Sequence, residues 1–201
     1  MTARCAILLL TAPTAQTPPP GVPPASWRAA LAEDVADLLS GLEEVTGAVA
    51  AAAPDHDLAR SVVWPGTPVF ELAVARPVAA LDAAARAGFT EAVIVAADAP
   101  DIPALHVGKL FRALGSHPVA AAPAAGRGLV ALAAQLPAPA WLAGMDPDLD
   151  TASVETLRAA APVPRSVAGT PGWHRLRAPA DIALLDPGLE GWDATRALLG
   201  G

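Results

Sequence analysis

The chain has 201 residues, 53% of them hydrophobic and 16% charged, and a formal net charge of −7. That content supplies a core and excludes general disorder, while the acidic balance argues against nucleic acid as a partner, whose binding needs basic side chains to displace counterions. Cys5 is the one cysteine, which excludes an internal disulfide and a cysteine-rich metal site.

In chain order, "CAILLLTA" reads as a strand apolar on both faces, therefore buried. Its apolar run is short for a secretion signal. No stretch free of Pro, Gly and charge reaches the roughly 20 residues of a membrane helix, so a soluble, cytoplasmic protein without a membrane partner is expected. The proline-rich segment 13–24 is a loop inside the domain. Ser26 then precedes a helix with Leu31, Val35, Leu38 and Leu39 on one face, closed by Gly41. "VTGAVAAAA" and "SVVW" are further strand candidates. A helix beginning near Pro77 and ending at Gly88 leads directly into "TEAVIVAAD", a helix–glycine–buried strand unit that suits a parallel α/β sheet. Pro103 opens the next helix, with Leu105, Leu110, Phe111 and Leu114 as its stripe. "PVAAAPA", "GLVALAA" and "PRSVAG" are later strands, Asp150 caps "TASVETLRAAA", Pro179 starts a short helix, and 187–201 forms a helical appendage carrying Trp192, which docks on the core or on a second copy in a homodimer. The pattern makes 1–201 a single α/β domain, expected as a three-layer α/β/α sandwich on a mostly parallel sheet.

The stretch "VIVAADAPDIP" ends a buried strand in Asp98, with Asp101 held nearby by Pro100 and Pro103. In an open parallel sheet ligands bind outside the carboxyl ends of the strands, so both carboxylates face the crevice. Two readings stand. Asp98 and Asp101 are oxygen ligands for Mg²⁺ or Mn²⁺, or they are caps of the turn and of the following helix. His56, His106 and His117 show no metal-ligand spacing and are expected in solvent. "GWHRLR" at 172–177 is the densest polar and aromatic cluster. As a strand it would point Trp173, Arg175 and Arg177 to one side, to stack a base and clamp a phosphate, and His174 to the other.

The order "DAPDI", then "PAAGRGLVAL" from Pro123, then "RLRAPADIALL" resembles the DUF2064 family of glycosyl- and nucleotidyltransferases with the GT-A fold of the nucleotide-diphospho-sugar transferase superfamily. The resemblance runs over about residues 74–186. It implies that fold, catalysis and metal binding at Asp98 and Asp101, substrate contact at Arg127 and Gly128, and a nucleotide or nucleotide sugar as ligand. It also marks departures. Gly126 and Arg127 stand where the family has Asp and Gly, Arg175 and Arg177 stand where it has two acids, and the first loop has no basic residue before Arg28. Two functions follow. One is a divergent transferase in which arginine charge replaces a metal. The other is a non-catalytic binding protein or scaffold whose arginines form salt bridges with Asp98 and Asp101.

Overall fold

The computed structural model describes residues 2–12 and 17–200; positions 13–16 of the expected proline-rich loop lie outside the described residues. Seven strands form one sheet: β1 Arg4–Leu10, β2 Thr46–Ala52, β3 Val69–Leu72, β4 Glu91–Ala96, β5 Val119–Pro123, β6 Leu129–Gln135 and β7 Val167–Gly169. Their order across the sheet is β3-β2-β1-β4-β6-β5-β7. The sheet is mostly parallel, but β6 runs antiparallel to both neighbours, β4 and β5. The helices are α1 Pro24–Ser40, α2 His56–Ser61, α3 Pro77–Arg86, α4 Ala104–Leu114, α5 Ala140–Met145, α6 Val154–Ala160 and α7 Asp193–Leu198.

β1 shows why the molecule has three layers. Side chains alternate faces along a strand, and every residue from Cys5 to Leu10 is buried. Ala6, Leu8 and Leu10 join the core made with α1 and α4, through Val35, Leu39, Leu110 and Leu114. Cys5, Ile7 and Leu9 join a second core with α3 and α6, through Leu81, Ala84 and Leu157. A strand apolar on both faces is stable only between two helical layers, and this is the expected α/β/α sandwich. Topology reverses at β1, which lies between β2 and β4, and such switch points open a crevice at the strand carboxyl ends.

Several expected elements differ. α1 starts at Pro24, not after Ser26; proline suits the first helical turn because its missing N–H has no partner there anyway. "SVVW" is not a strand: Ser61 ends α2, Val62 caps it, and the third strand is Val69–Leu72. Leu105 is 64% exposed, and Val107 takes its place on the buried stripe of α4. Asp150 does not cap α6; Ser153 does, in a reciprocal capping box with Thr156.

The expected appendage docks on its own chain. Trp192 is buried and its ring faces the Arg196 guanidinium at 4.3 Å. Asp34 of α1, 3% exposed, accepts the backbone N–H groups of Ala194 and Thr195 at 2.9 and 2.8 Å. Its carboxylate thus covers N–H groups that the first turn of α7 leaves open. Burial outweighs these bonds and pushes the Asp34 carboxyl up to about 6. The folded state therefore holds this proton more tightly than the unfolded one, so stability from Asp34 is present below the ordinary carboxylate range and is lost as pH rises to about 6. Relative to Asp34→Asn, the wild-type protein should lose unfolding free energy between pH 4 and pH 7, measured by urea titration across that range; a constant difference between the two proteins would contradict this.

Candidate functional site at the strand carboxyl ends

Asp98 follows β4 and is wholly buried, and Arg175 is 5% exposed. Arg175 Nε lies 2.5 Å from Asp98 Oδ1, and Arg175 Nη1 lies 2.8 Å from Asp150 Oδ1. The same Nη1 donates to the carbonyls of Leu129 and Leu149 at 3.1 and 3.3 Å. One guanidinium thus bridges two carboxylates and two backbone oxygens. Desolvation by burial raises the Asp98 carboxyl above its ordinary value, and Arg175 opposes that shift.

Arg177 is the partly exposed member of the group. Its Nη1 donates to Arg127 O at 2.7 Å and its Nη2 to Asp150 Oδ1 at 3.4 Å. Its Nε stands 3.9 Å from Asp98 Oδ2, and neither of these two buried atoms has a hydrogen-bond partner. Arg127 therefore enters the site through its carbonyl, while its own residue is exposed. Gly128 has φ +84°, and a Cβ there would collide with the carbonyl oxygen of Leu149, so glycine is required by the close approach of two backbones.

Asp101 belongs to a different cluster. Trp173 Nε1 donates to its Oδ1 at 3.0 Å, His174 Nε2 lies 2.8 Å from the same oxygen, and the Asp186 N–H reaches Oδ2 at 3.3 Å. Burial would raise this carboxyl, but the contacts from His174 and Trp173 outweigh it and hold it below the usual range. The expected common face of Trp173, Arg175 and Arg177 is not formed. Trp173 turns to Asp101, the arginines turn to Asp98 and Asp150, and His174, expected on the opposite side, stacks beside Trp173 with ring centroids 4.9 Å apart. The reason is local: the segment pairs as a strand at Trp173 with Ala124 and then leaves the ladder, so a two-residue alternation does not apply. His106 of α4, expected in solvent, is half-buried and meets the Trp173 ring edge-on at 5.0 Å.

These contacts bear on a divalent ion. Mg²⁺ and Mn²⁺ need several oxygens turned to one point. Both Asp101 oxygens and Asp98 Oδ1 are already engaged, and the described residues contain no group of three or more His, Cys, Asp or Glu able to hold a metal. The donor set does not fit a divalent ion as it stands.

A cavity of about 720 Å³ opens beside this cluster at the carboxyl ends of β1, β2 and β3. Leu9, Ala52, Val74 and Ala75 give it apolar walls, and Asp150 lines it as well as binding both arginines. Arg28 reaches in from α1, pairs with Asp55 at 2.5 Å and donates to Thr11 O at 3.1 Å. Arg28, Asp55 and Asp150 were not read from sequence as site residues. Arg28 carried one available signal, as the first cation after the β1 loop.

No family model matches the chain, and no curated protein does. Solved structures match at full length. A protein assigned as a nucleotide-diphospho-sugar transferase from Desulfovibrio desulfuricans G20 superposes with a TM-score of 0.69 at 18% identity, over 100% of this chain and 98% of that one. CMP:2-keto-3-deoxy-manno-octonic acid synthetase complexed with CTP gives 0.54 at 10% identity, over 100% and 99%. Rv0371c from Mycobacterium tuberculosis H37Rv in complex with manganese gives 0.51 at 15% identity, over 100% and 98%. The fold is that of nucleotide-diphospho-sugar transferases and cytidylyltransferases.

Removing one partner of a buried ion pair leaves an uncompensated charge, at a cost of roughly 3–5 kcal/mol. Arg175→Ala should therefore lower unfolding free energy by about that amount in urea titration, and Asp98→Asn combined with Arg175→Met should recover part of it. Wild-type stability in Arg175→Ala would show that the pair does not brace the fold.

Proposed function

We propose that this protein binds a nucleotide or nucleotide sugar in the cavity at the ends of β1–β3, and that it does so without a divalent ion. The observation that carries this reading is Arg175 bridging Asp98 and Asp150, because Asp150 is also a wall of the cavity. Arg175 and Arg177 together set two positive charges against Asp98 and Asp150, the charge a divalent metal would bring, and a guanidinium stays charged at working pH. Asp98 and Asp101 then position Arg175, Trp173 and His174. Arg177, whose side chain is 31% exposed, is the arginine with surface left for a phosphate. The backbone at Arg127 and Gly128 holds it in place. The apolar walls suit a base or sugar, and the ligand class is supported by the CTP-bound relative in fold.

A second reading is a transferase moving a glycosyl or nucleotidyl group, with Asp98 and Asp101 holding Mg²⁺ or Mn²⁺. One feature favours it: Asp98 Oδ2 retains no hydrogen-bond partner. It requires Arg175 to leave Asp98.

Thermal shift with a panel of nucleotides and nucleotide sugars separates the two. A ligand at a hundred times its Kd stabilises the native state by about 2.7 kcal/mol, or roughly 5–10 °C for a chain of this size. The expected shift survives EDTA and disappears in Ala75→Trp, which fills the cavity. A shift seen only with Mg²⁺ or Mn²⁺ would favour the transferase, and no shift with any ligand would overturn both.

A further inference from the structure

A second cavity, of about 510 Å³, lies at the opposite end of the sheet from the nucleotide site, against the edge strand β7. Its walls include Arg158 from the last turn of α6, Arg165 from the turn before β7, and His117 from the loop before β5. No carboxylate lines it. That is unusual here, because the chain carries 20 acids against 13 Lys and Arg and has a net charge of −7. Seven of its twelve arginines are in ion pairs: Arg4, Arg28, Arg60, Arg76, Arg175, Arg177 and Arg196 each have a carboxylate within reach. Among the described residues Arg158 and Arg165, like Arg86, Arg112 and Arg127, form no such pair, and they are the two that share a cavity. Glu155, one turn before Arg158, is fully exposed to solvent and acts on it at longer range.

Arg158 is also placed in advance. Its Nε donates to Val167 O at 3.3 Å, which lays the guanidinium along β7. Among the described residues its two Nη groups have no hydrogen-bond partner. Gly169 lies directly beside the fork: a Cβ there would touch Nη2 at 3.4 Å. His117 contacts Ser116 and Ala113 through Nδ1, which turns Nε2 to other partners. A guanidinium fork matches the oxygens of a phosphate in paired hydrogen bonds, and a fork already fixed by one bond loses less freedom on binding.

We propose that this cavity is a second site, for a phosphate group, with Arg158 and Arg165 as its two clamps and His117 as a third donor when protonated. The ligand is inorganic phosphate or a small phosphate monoester. The cavity volume leaves room for the organic part of an ester. This site is separate from the β1–β3 cavity and does not depend on what binds there.

The test uses the full-length protein with inorganic phosphate, glycerol 3-phosphate and, at matched ionic strength, sodium chloride. Melting temperature and the arginine Nε–H signals in NMR are followed together. Phosphate or its ester should raise the melting temperature saturably above the chloride control and move the Arg158 Nε–H signal. Arg158→Gln combined with Arg165→Gln should weaken binding at least tenfold, and Ala75→Trp should leave it unchanged. Tighter binding of the ester than of the free ion would assign a phosphorylated metabolite; equal binding would assign the free anion. No response beyond chloride, or a response that survives in the double arginine variant, would overturn the proposal.

Discussion

A carboxylate at the end of a strand buried on both faces has no water to solvate its charge, so it must be neutralised or paired. Asp98 is paired, and much of the carboxyl end of the sheet is built on that pairing. Its side chain holds Arg175 and its backbone carbonyl accepts the Leu176 N–H at 2.7 Å. The 173–177 segment is thereby fixed to β4 from two directions. Arg175 in turn grips the carbonyls of Leu129 at the start of β6 and Leu149 ahead of α6. Gly128 permits those two backbones to meet, and Leu129 N–H donates to Leu149 O at 2.7 Å. Three chain segments distant in sequence converge on one guanidinium.

That convergence sets the chemistry of the neighbouring cavity. Asp150 is shared between the cavity wall and the two arginines, so charge there is nearly balanced within the protein itself. On the other side Arg28 and Asp55 balance each other in the same way. The cavity therefore presents apolar walls and internally paired charges, with the partly exposed Arg177 beside it. It does not offer the field of unpaired cations that a triphosphate and its metal would meet in a basic loop. Arg175 is buried with all its bonds inside the protein and is a structural cation, and Arg177 is the more exposed of the two.

The sequence pattern carried the frame of this fold well where apolar runs were long and punctuated. β1, β4, α3 and α4 follow from "CAILLL", "AVIVA", Pro77 and Pro103 because burial on both faces and proline at a helix start leave few alternatives. It carried the direction of β6 poorly, since a short run of Ala, Leu and Val is the same in either direction. "SVVW" misleads because two adjacent valines resemble a strand, whereas Val62 closes α2. At the site, Asp98, Asp101, Trp173, Arg175 and Arg177 were legible as residues and are brought into two adjoining clusters. Which carboxylate each would meet was not legible, because a two-residue alternation holds only inside a ladder, and this segment leaves its ladder after one bridge. Asp150 was hidden for a similar reason: before a helix, an aspartate looks like a cap, and Ser153 three residues later already fills that role.

The second acid of the original motif completes the mechanical argument. Asp101 holds Trp173 and His174 on one oxygen and the Asp186 N–H on the other. Leu176, from the segment that Asp98 anchors, packs with Trp27 and Leu31 of α1 in a small third core, together with Ile182, Leu185, Leu198 and Leu199. The route from the sheet to the docked α7 therefore passes through both aspartates: Asp98 fixes 175–176, Asp101 fixes 173–174 and 186, and Asp34 receives the start of α7. Asp98 pairs with a buried cation, and Asp101 accepts a backbone N–H and the Trp173 indole N–H; releasing either carboxylate to hold a metal would loosen the C-terminal segment as well as the site. In this chain the acidic corner is the fastening between the sheet and its C-terminal segment from Trp173 onward.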